Sequence, residues 1–289
     1  MKHITITGSL GSGKSVVSAI LKERLGIEIE SIGSILRKMA QNYGMSTTEF
    51  NKHIEEHPEV DHELDAFVRE QGLSTVPKIF DSRLAWHFVP QSFKIYLFVK
   101  DEIAAGRVYS DDKRVNEKYA SKDDAQFQIS ERRKSEIFRF KTQYNVDLDN
   151  FTNYNLVIDT SHSTPEDIAN AIIENYQKNA SGQNDIWLSP HTLLPTKLSE
   201  MENGFALFTK KEDFINAPVS AFFDSNNFYI FDGHKRVLSA LKNKITLISC
   251  SLLNPAGETE LPGGQPVKEY IAGYFSDALY SNWKKLAEG

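Results

Sequence analysis

Near the start of the chain, Ile4-Thr5-Ile6-Thr7 runs directly into Gly8-Ser9-Leu10-Gly11-Ser12-Gly13-Lys14-Ser15, followed by Val16-Val17-Ser18-Ala19-Ile20-Leu21. A β-branched strand, a glycine-rich turn and a helix-forming stretch in this order are G-x-x-x-x-G-K-S in its required setting. Gly8, Gly11 and Gly13 let the backbone curl so that the N–H groups from Gly11 through Ser12 to Ser15 point into a concavity sized for phosphate oxygens. The start of the following helix adds partial positive charge. Lys14 is placed to reach the β- and γ-phosphates and Ser15 to hold a magnesium ion. The stretch implies a site for a nucleoside triphosphate.

Composition limits what surrounds that site. A length of 289 residues allows one large domain or two ordinary ones, and 40% hydrophobic with 25% charged residues supports a real core. The net charge of −6 argues against a broad nucleic-acid or anionic-membrane surface. Cys250 is the single cysteine, which excludes an intrachain disulfide and argues against a cysteine-based metal site. With a strand starting near Lys2 and no apolar run of membrane-spanning length, the expectation is a cytoplasmic protein without a leader.

Along the chain, strands and helices alternate as far as Gln177. Expected strands are Ile27–Glu30, Val76–Phe80, Phe93–Val99 and Asn155–Asp159. Between them fall a helix opened by Ser31 and carrying Arg37, a charged helical region over 45–71 with a capping box at Ser46 and Glu49 and a break at Pro58, and a helix with Arg107. An arginine-rich helix follows, with Arg132, Glu136 and Arg139 on one face. Thr164 and Pro165 cap the helix that ends at Gln177. This alternation indicates a parallel sheet with helices on both faces. Residues 179–186 read as a linker between a first domain, 1–178, and a smaller α+β domain, 187–289. The second half has short strands over 219–223, 228–231 and 246–252, a short helix over Lys235–Leu241, and one long helix over Pro266–Leu286.

The cations suggest what happens to the bound phosphate. Moving a phosphoryl group onto another phosphate needs many positive charges, because donor and acceptor repel and charge spreads in the transition state. Lys14, Arg37, Arg83, Arg107, Arg132, Arg133 and Arg139 sit near strand ends, helix starts or the arginine-rich helix, and strand C-termini gather at the ligand edge of a parallel sheet. Ser31-Ile32-Gly33-x-x-x-Arg37, Met45-Ser46-x-x-Glu49-Phe50-Asn51-Lys52 with Pro58-Glu59-x-Asp61, Asp81-Ser82-Arg83-Leu84-Ala85-Trp86, Ser135-Glu136-x-x-Arg139-Phe140 with Tyr144-x-x-Asp147-Leu148, and Tyr154-x-Leu156-Val157-Ile158-Asp159-Thr160-Ser161 occur in that order. With the glycine turn, residues 1–177 resemble the short, archaeal-type cytidylate kinases of the P-loop nucleoside-monophosphate kinase group. The resemblance implies that Lys14 and Ser15 hold ATP and magnesium, and that Arg107 flanks the adenine. It implies that Arg37 and Arg83 grip the acceptor phosphate, that Arg132 and Arg139 close over the transferring group, and that Asp81 orients magnesium-bound water. Two positions depart from the pattern: Ser34 stands where the family usually has Asp, and Ser82 where it usually has Gly. Asp61 and Asp65 are candidates for reading an amino group on a base.

In the second half, a strand ends at Asp232-Gly233 and a helix begins with His234, Lys235 and Arg236. Glycine permits the tight turn, a helix N-terminus attracts an anion, and Arg236 can fork onto a phosphate. Asp232, Gly233, His234 and Arg236 are therefore the expected second phosphate site. The stretch resembles the ParB/sulfiredoxin fold, and Asp-Gly-His-x-Arg is similar to the motif of its free-serine kinases. Those kinases carry a glutamate base after Pro-His, where this chain has Pro190-His191-Thr192. The overall expectation is an ATP- and magnesium-dependent kinase acting on a nucleoside monophosphate, CMP or dCMP, with no nucleic-acid or membrane partner. A kinase for a free amino acid hydroxyl and a nucleotide-sensing switch stand as alternatives.

Overall fold

The computed structural model describes residues 1–111, 119–178, 184–198 and 209–288. The chain divides into two compact units, one of Met1–Leu148 with Thr164–Ser181 and one of Asp149–Ser163 with Gly182–Gly289.

The first unit is built on four parallel strands, β1 (Ile4–Gly8), β2 (Glu28–Ser31), β3 (Lys78–Asp81) and β4 (Phe93–Phe98), in the order β2-β3-β1-β4. Every residue of β1 is buried, the threonines as well as Ile4 and Ile6. A central parallel strand is covered on both faces, so it reads as continuous β-branched sequence rather than an alternating pattern. The buried hydroxyls are satisfied: Thr5 Oγ1 lies 3.1 Å from Ser92 Oγ, and Thr7 Oγ1 donates to the carbonyl of Arg83 at 3.4 Å. The helices are α1 (Lys14–Leu25), α2 (Ile32–Asn42), α3 (Thr47–Glu56), α4 (Pro58–Gly72), α5 (Ala85–Phe88), α6 (Asp101–Tyr109), α7 (Lys122–Tyr144) and α8 (Pro165–Gln177). Helix α1 packs on α8, and α6 on α7. Local signals account for several ends. Gly26 closes α1 in the left-handed region, Ser46 and Glu49 form the capping box of α3, and Thr164 accepts from Asp167 N–H at the start of α8.

The second unit holds a mixed sheet, β5-β6-β10-β8-β9-β7, from β5 (Leu156–Asp159), β6 (Asp185–Leu188), β7 (Leu193–Leu194), β8 (Val219–Phe223), β9 (Phe228–Asp232) and β10 (Ile248–Leu252). Its helices are α9 (Lys211–Asn216), α10 (His234–Lys242), α11 (Val267–Tyr274) and α12 (Asp277–Glu288). Strand β5 pairs in parallel with β6, and Phe151 just before it packs on Phe223 and Phe228. Two features differ from the sequence expectation. The expected linker lies outside the described residues as far as 183, and the chain is already strand at Asp185. The long C-terminal helix is two. Phe275 is extended, and Ser276 Oγ accepts from Leu279 N–H to start α12. Ser276-Asp277 is itself a helix-start signal, outweighed in the sequence by the apolar stripe running across it. Among the described residues no helix is long and apolar enough to cross a membrane.

Candidate active site

The turn between β1 and α1 has the backbone its glycines foretell. Gly11 and Gly13 have φ of +81° and +83°. A Cβ on Gly11 would lie 2.8 Å from the backbone of Ala104, so the loop is wedged against α6. A Cβ on Gly13 would meet nothing within 4 Å, which leaves an open concavity in front of the helix start. Lys14 Nζ lies across the loop, donating to the carbonyls of Gly8 at 2.6 Å and Ser9 at 3.1 Å. Beneath it, Ser12 Oγ is buried with no hydrogen-bond partner among the described residues. Arg107 reaches over from α6 and donates to the Gly11 carbonyl at 3.2 Å. Ser15 Oγ donates to Asp81 Oδ2, at the end of β3, at 2.8 Å. A hydroxyl and a carboxylate side by side beneath an open phosphate cradle are the hard oxygen donors that magnesium takes, so the residues present fit MgATP.

The same cleft brings together Lys14, Ser15, Arg37, Asp61, Asp81, Arg83, Arg132 and Arg139, residues scattered over 126 positions of sequence. Arg37 donates from Nη2 to Ser34 Oγ at 3.0 Å, and Ser34 Oγ is also 3.0 Å from Ser31 Oγ. Ser34 thus steadies Arg37 without neutralising it. Arg83 and Arg132 converge on one carboxylate, Glu136: Arg83 Nη1 contacts Oε1 and Arg132 Nε donates to the same oxygen at 3.1 Å. Arg139 Nε lies 3.3 Å from Asp61 Oδ2, and both groups are buried. Both residues line the cleft, and the two atoms that face each other across the ion pair are themselves buried. One turn on, Asp65 Oδ2 accepts from Tyr144 OH at 2.5 Å. Burial raises the pKa of Asp61 and Asp65; the Arg139 charge works against it at Asp61, as the Tyr144 hydrogen bond does at Asp65. Arg133 does not line the cleft and instead donates to Tyr96 OH at 3.2 Å.

Residues 3–162, more than half the chain, match the model described as the cytidylate kinase-like family. The chain belongs to this family. Cytidylate kinase of Methanobrevibacter smithii is 33% identical over 170 residues, covering 59% of this chain and 95% of that one. Cytidylate kinase of Methanocaldococcus jannaschii is 34% identical over 186 residues, covering 61% and 99%. An S-adenosylmethionine-dependent nucleotide dehydratase of Lacinutrix mariniflava is 36% identical over 176 residues, but these are 61% of this chain and only 36% of that protein. Among solved structures, shikimate kinase from Acinetobacter baumannii aligns with a TM-score of 0.43 and 17% identity over 63% of this chain and 96% of that one. Family and relatives together support an ATP-dependent phosphotransferase.

Beyond residues 149–162 the second unit lies outside the family match, and its strand-to-helix turn is put together differently. Gly233 is left-handed at φ +102°, and a Cβ there would be 3.0 Å from the Arg236 guanidinium. Arg236 Nη1 donates to the carbonyls of Ala217 at 2.7 Å and Pro218 at 2.6 Å, and Nη2 donates to Asp232 at 2.8 Å. The fork expected to receive a phosphate is thus engaged by the protein's own oxygens. His234 is 2% exposed; its Nε2 accepts from Thr196 N–H at 3.1 Å, and burial pushes its pKa down to about 4. Thr192, which follows Pro190-His191, is buried and donates to Asp159.

Proposed function

We propose that the N-terminal unit transfers the γ-phosphoryl group of ATP directly to the phosphate of a nucleoside monophosphate, with CMP or dCMP as acceptor. The observation that supports the acceptor assignment is the Asp61–Arg139 ion pair, which lines the same cleft as Arg37 and Arg83. Asp61 offers an acceptor and Arg139 a donor, side by side. The cytosine edge presents the complementary amino donor and ring-nitrogen acceptor, whereas uracil presents an oxygen acceptor and an N–H donor and would meet like with like.

In this reading the backbone amides after Gly11 and the Lys14 ammonium hold the β- and γ-phosphates. Ser15 and Asp81 would hold magnesium, which would neutralise charge between the phosphates. Arg37 draws in the acceptor phosphate, while Arg83 and Arg132 bring two guanidiniums to the point where donor and acceptor oxygens meet. No covalent intermediate is needed, because positioning and charge neutralisation supply the catalysis. For the C-terminal unit we propose an accessory role on a ParB/sulfiredoxin-like fold. The engaged fork of Arg236 and the burial of Thr192 support this over a second transferring site.

The test is ADP formation from MgATP with CMP, dCMP, UMP, AMP and free L-serine in parallel. Turnover confined to the cytidine monophosphates, abolished in Lys14→Ala and retained in Arg236→Ala, is expected. Turnover with serine, or with no acceptor on the panel, overturns the reading.

A further inference from the structure

Glu136 is a buried anion of the first unit. It sits on α7, which also sends Arg132, Arg139, Phe140 and Tyr144 into the cleft, and its side chain is 6% exposed. Its Oε1 receives Arg132 from one turn earlier on the same helix and Arg83 from the segment after β3, 53 residues away. The backbone of Arg83 is fixed independently, since Thr7 of β1 donates to its carbonyl at 3.4 Å. Only the guanidinium is left to be aimed. Two guanidiniums brought to one point repel, and a cage of arginines that must assemble around each incoming substrate loses the advantage of being preorganised.

We infer that Glu136 is a positioning residue: it supplies the anion that holds Arg83 and Arg132 together before any phosphate arrives, so that the cation pair is already aimed when the acceptor binds. The inference rests on the proposed phosphoryl transfer and names the group that prepares it. Glu136 touches neither substrate nor reacting atoms in this scheme; it acts through the two arginines. Removing its charge therefore affects the transition state, where both arginines must converge, more than it affects nucleotide binding.

The experiment compares wild type with Glu136→Gln, which keeps the size and a hydrogen-bond acceptor, and with Glu136→Asp, which keeps the charge. Expected for Glu136→Gln are a kcat lower by roughly tenfold to a hundredfold, a KM for ATP within about twofold of wild type, and partial recovery of kcat in Glu136→Asp. Nitrogen-15 NMR of the arginine Nε–H groups gives a second readout that needs no turnover. The signal of Arg132, whose Nε–H donates to Glu136 Oε1, should lose its protection from solvent exchange in Glu136→Gln, while that of Arg139, beside Asp61, stays. An unchanged kcat with only a lower Tm, a lower KM for the acceptor, which would make Glu136 a competitor of the phosphate, or an unmoved Arg132 signal would each overturn the inference. A wild-type chain inactive on every acceptor removes the proposed function instead, and the NMR comparison still decides whether Glu136 aims the arginines.

Discussion

Both units contain a strand that turns through a left-handed glycine into a helix. Gly13 caps α1 with φ 83° and ψ 10°, and Gly233 caps α10 with φ 102° and ψ 22°; neither helix start has a side-chain cap. Their surroundings differ. In front of Gly13 there is open space, whereas at Gly233 the concavity is occupied by the Arg236 guanidinium, which itself ties three protein oxygens together. A helix start with a glycine and a nearby cation is a phosphate site only where the fold leaves the space unfilled. The same backbone turn leaves space open in one unit and is filled by the protein's own arginine in the other.

That contrast is most sharply broken by removing the two cations. Lys14→Ala should lower kcat by on the order of a hundredfold to a thousandfold with little effect on Tm. Arg236→Ala should leave kcat within about twofold and lower the unfolding free energy by about 2 kcal/mol, because the Ala217 and Pro218 carbonyls lose their donor. Comparable activity losses in both variants would erase the distinction.

Acid unfolding probes the second turn through His234. His234 is buried neutral with a folded-state pKa of about 4, below its ordinary 6.5, so the unfolded chain takes up a proton first as pH falls. Its contribution to stability is therefore intact above about pH 6.5 and is lost progressively toward pH 4, by about 3 kcal/mol in all. Denaturant titrations of wild type and His234→Gln over this range should show the variant with the shallower dependence. Equal slopes would place the acid sensitivity elsewhere.

A smaller effect separates the glycines themselves. Gly13→Ala and Gly233→Ala each impose about 1–2 kcal/mol of left-handed strain. Only the second also presses a methyl group on the Arg236 guanidinium, so Gly233→Ala should have the lower Tm and Gly13→Ala the higher KM for ATP.

The parts of this molecule legible from sequence are those set by neighbours in the chain. The glycine turn, the capping boxes and the face shared by Arg132 and Glu136 depend on spacings of three to five residues, and they appear in the structure as read. What the sequence does not display is which distant group completes each local motif. Arg236 has the spacing of a phosphate fork, and only the approach of Ala217 and Pro218 shows that the fork is engaged. Glu136 reads as a helix-surface charge until Arg83 arrives from the end of another element. Strand β5 is legible as a strand, but its hydrogen bonds to β6 and the grip of Thr192 on Asp159 are fixed by residues that follow it. Sheet partnership is a long-range property, and an apolar four-residue run carries no label for its neighbour.

The wedge of Gly11 against Ala104 has a consequence for how this protein can vary. Ala104 is fully buried in α6, and by helix preference alone leucine or methionine would serve nearly as well there. Yet a larger side chain at 104 would push on the loop backbone that is shaped for the nucleotide. A position that never meets ATP is thus under the same selection as those that do, and drift in the size of residue 104 would be recorded first as lost nucleotide affinity rather than as a weakened helix.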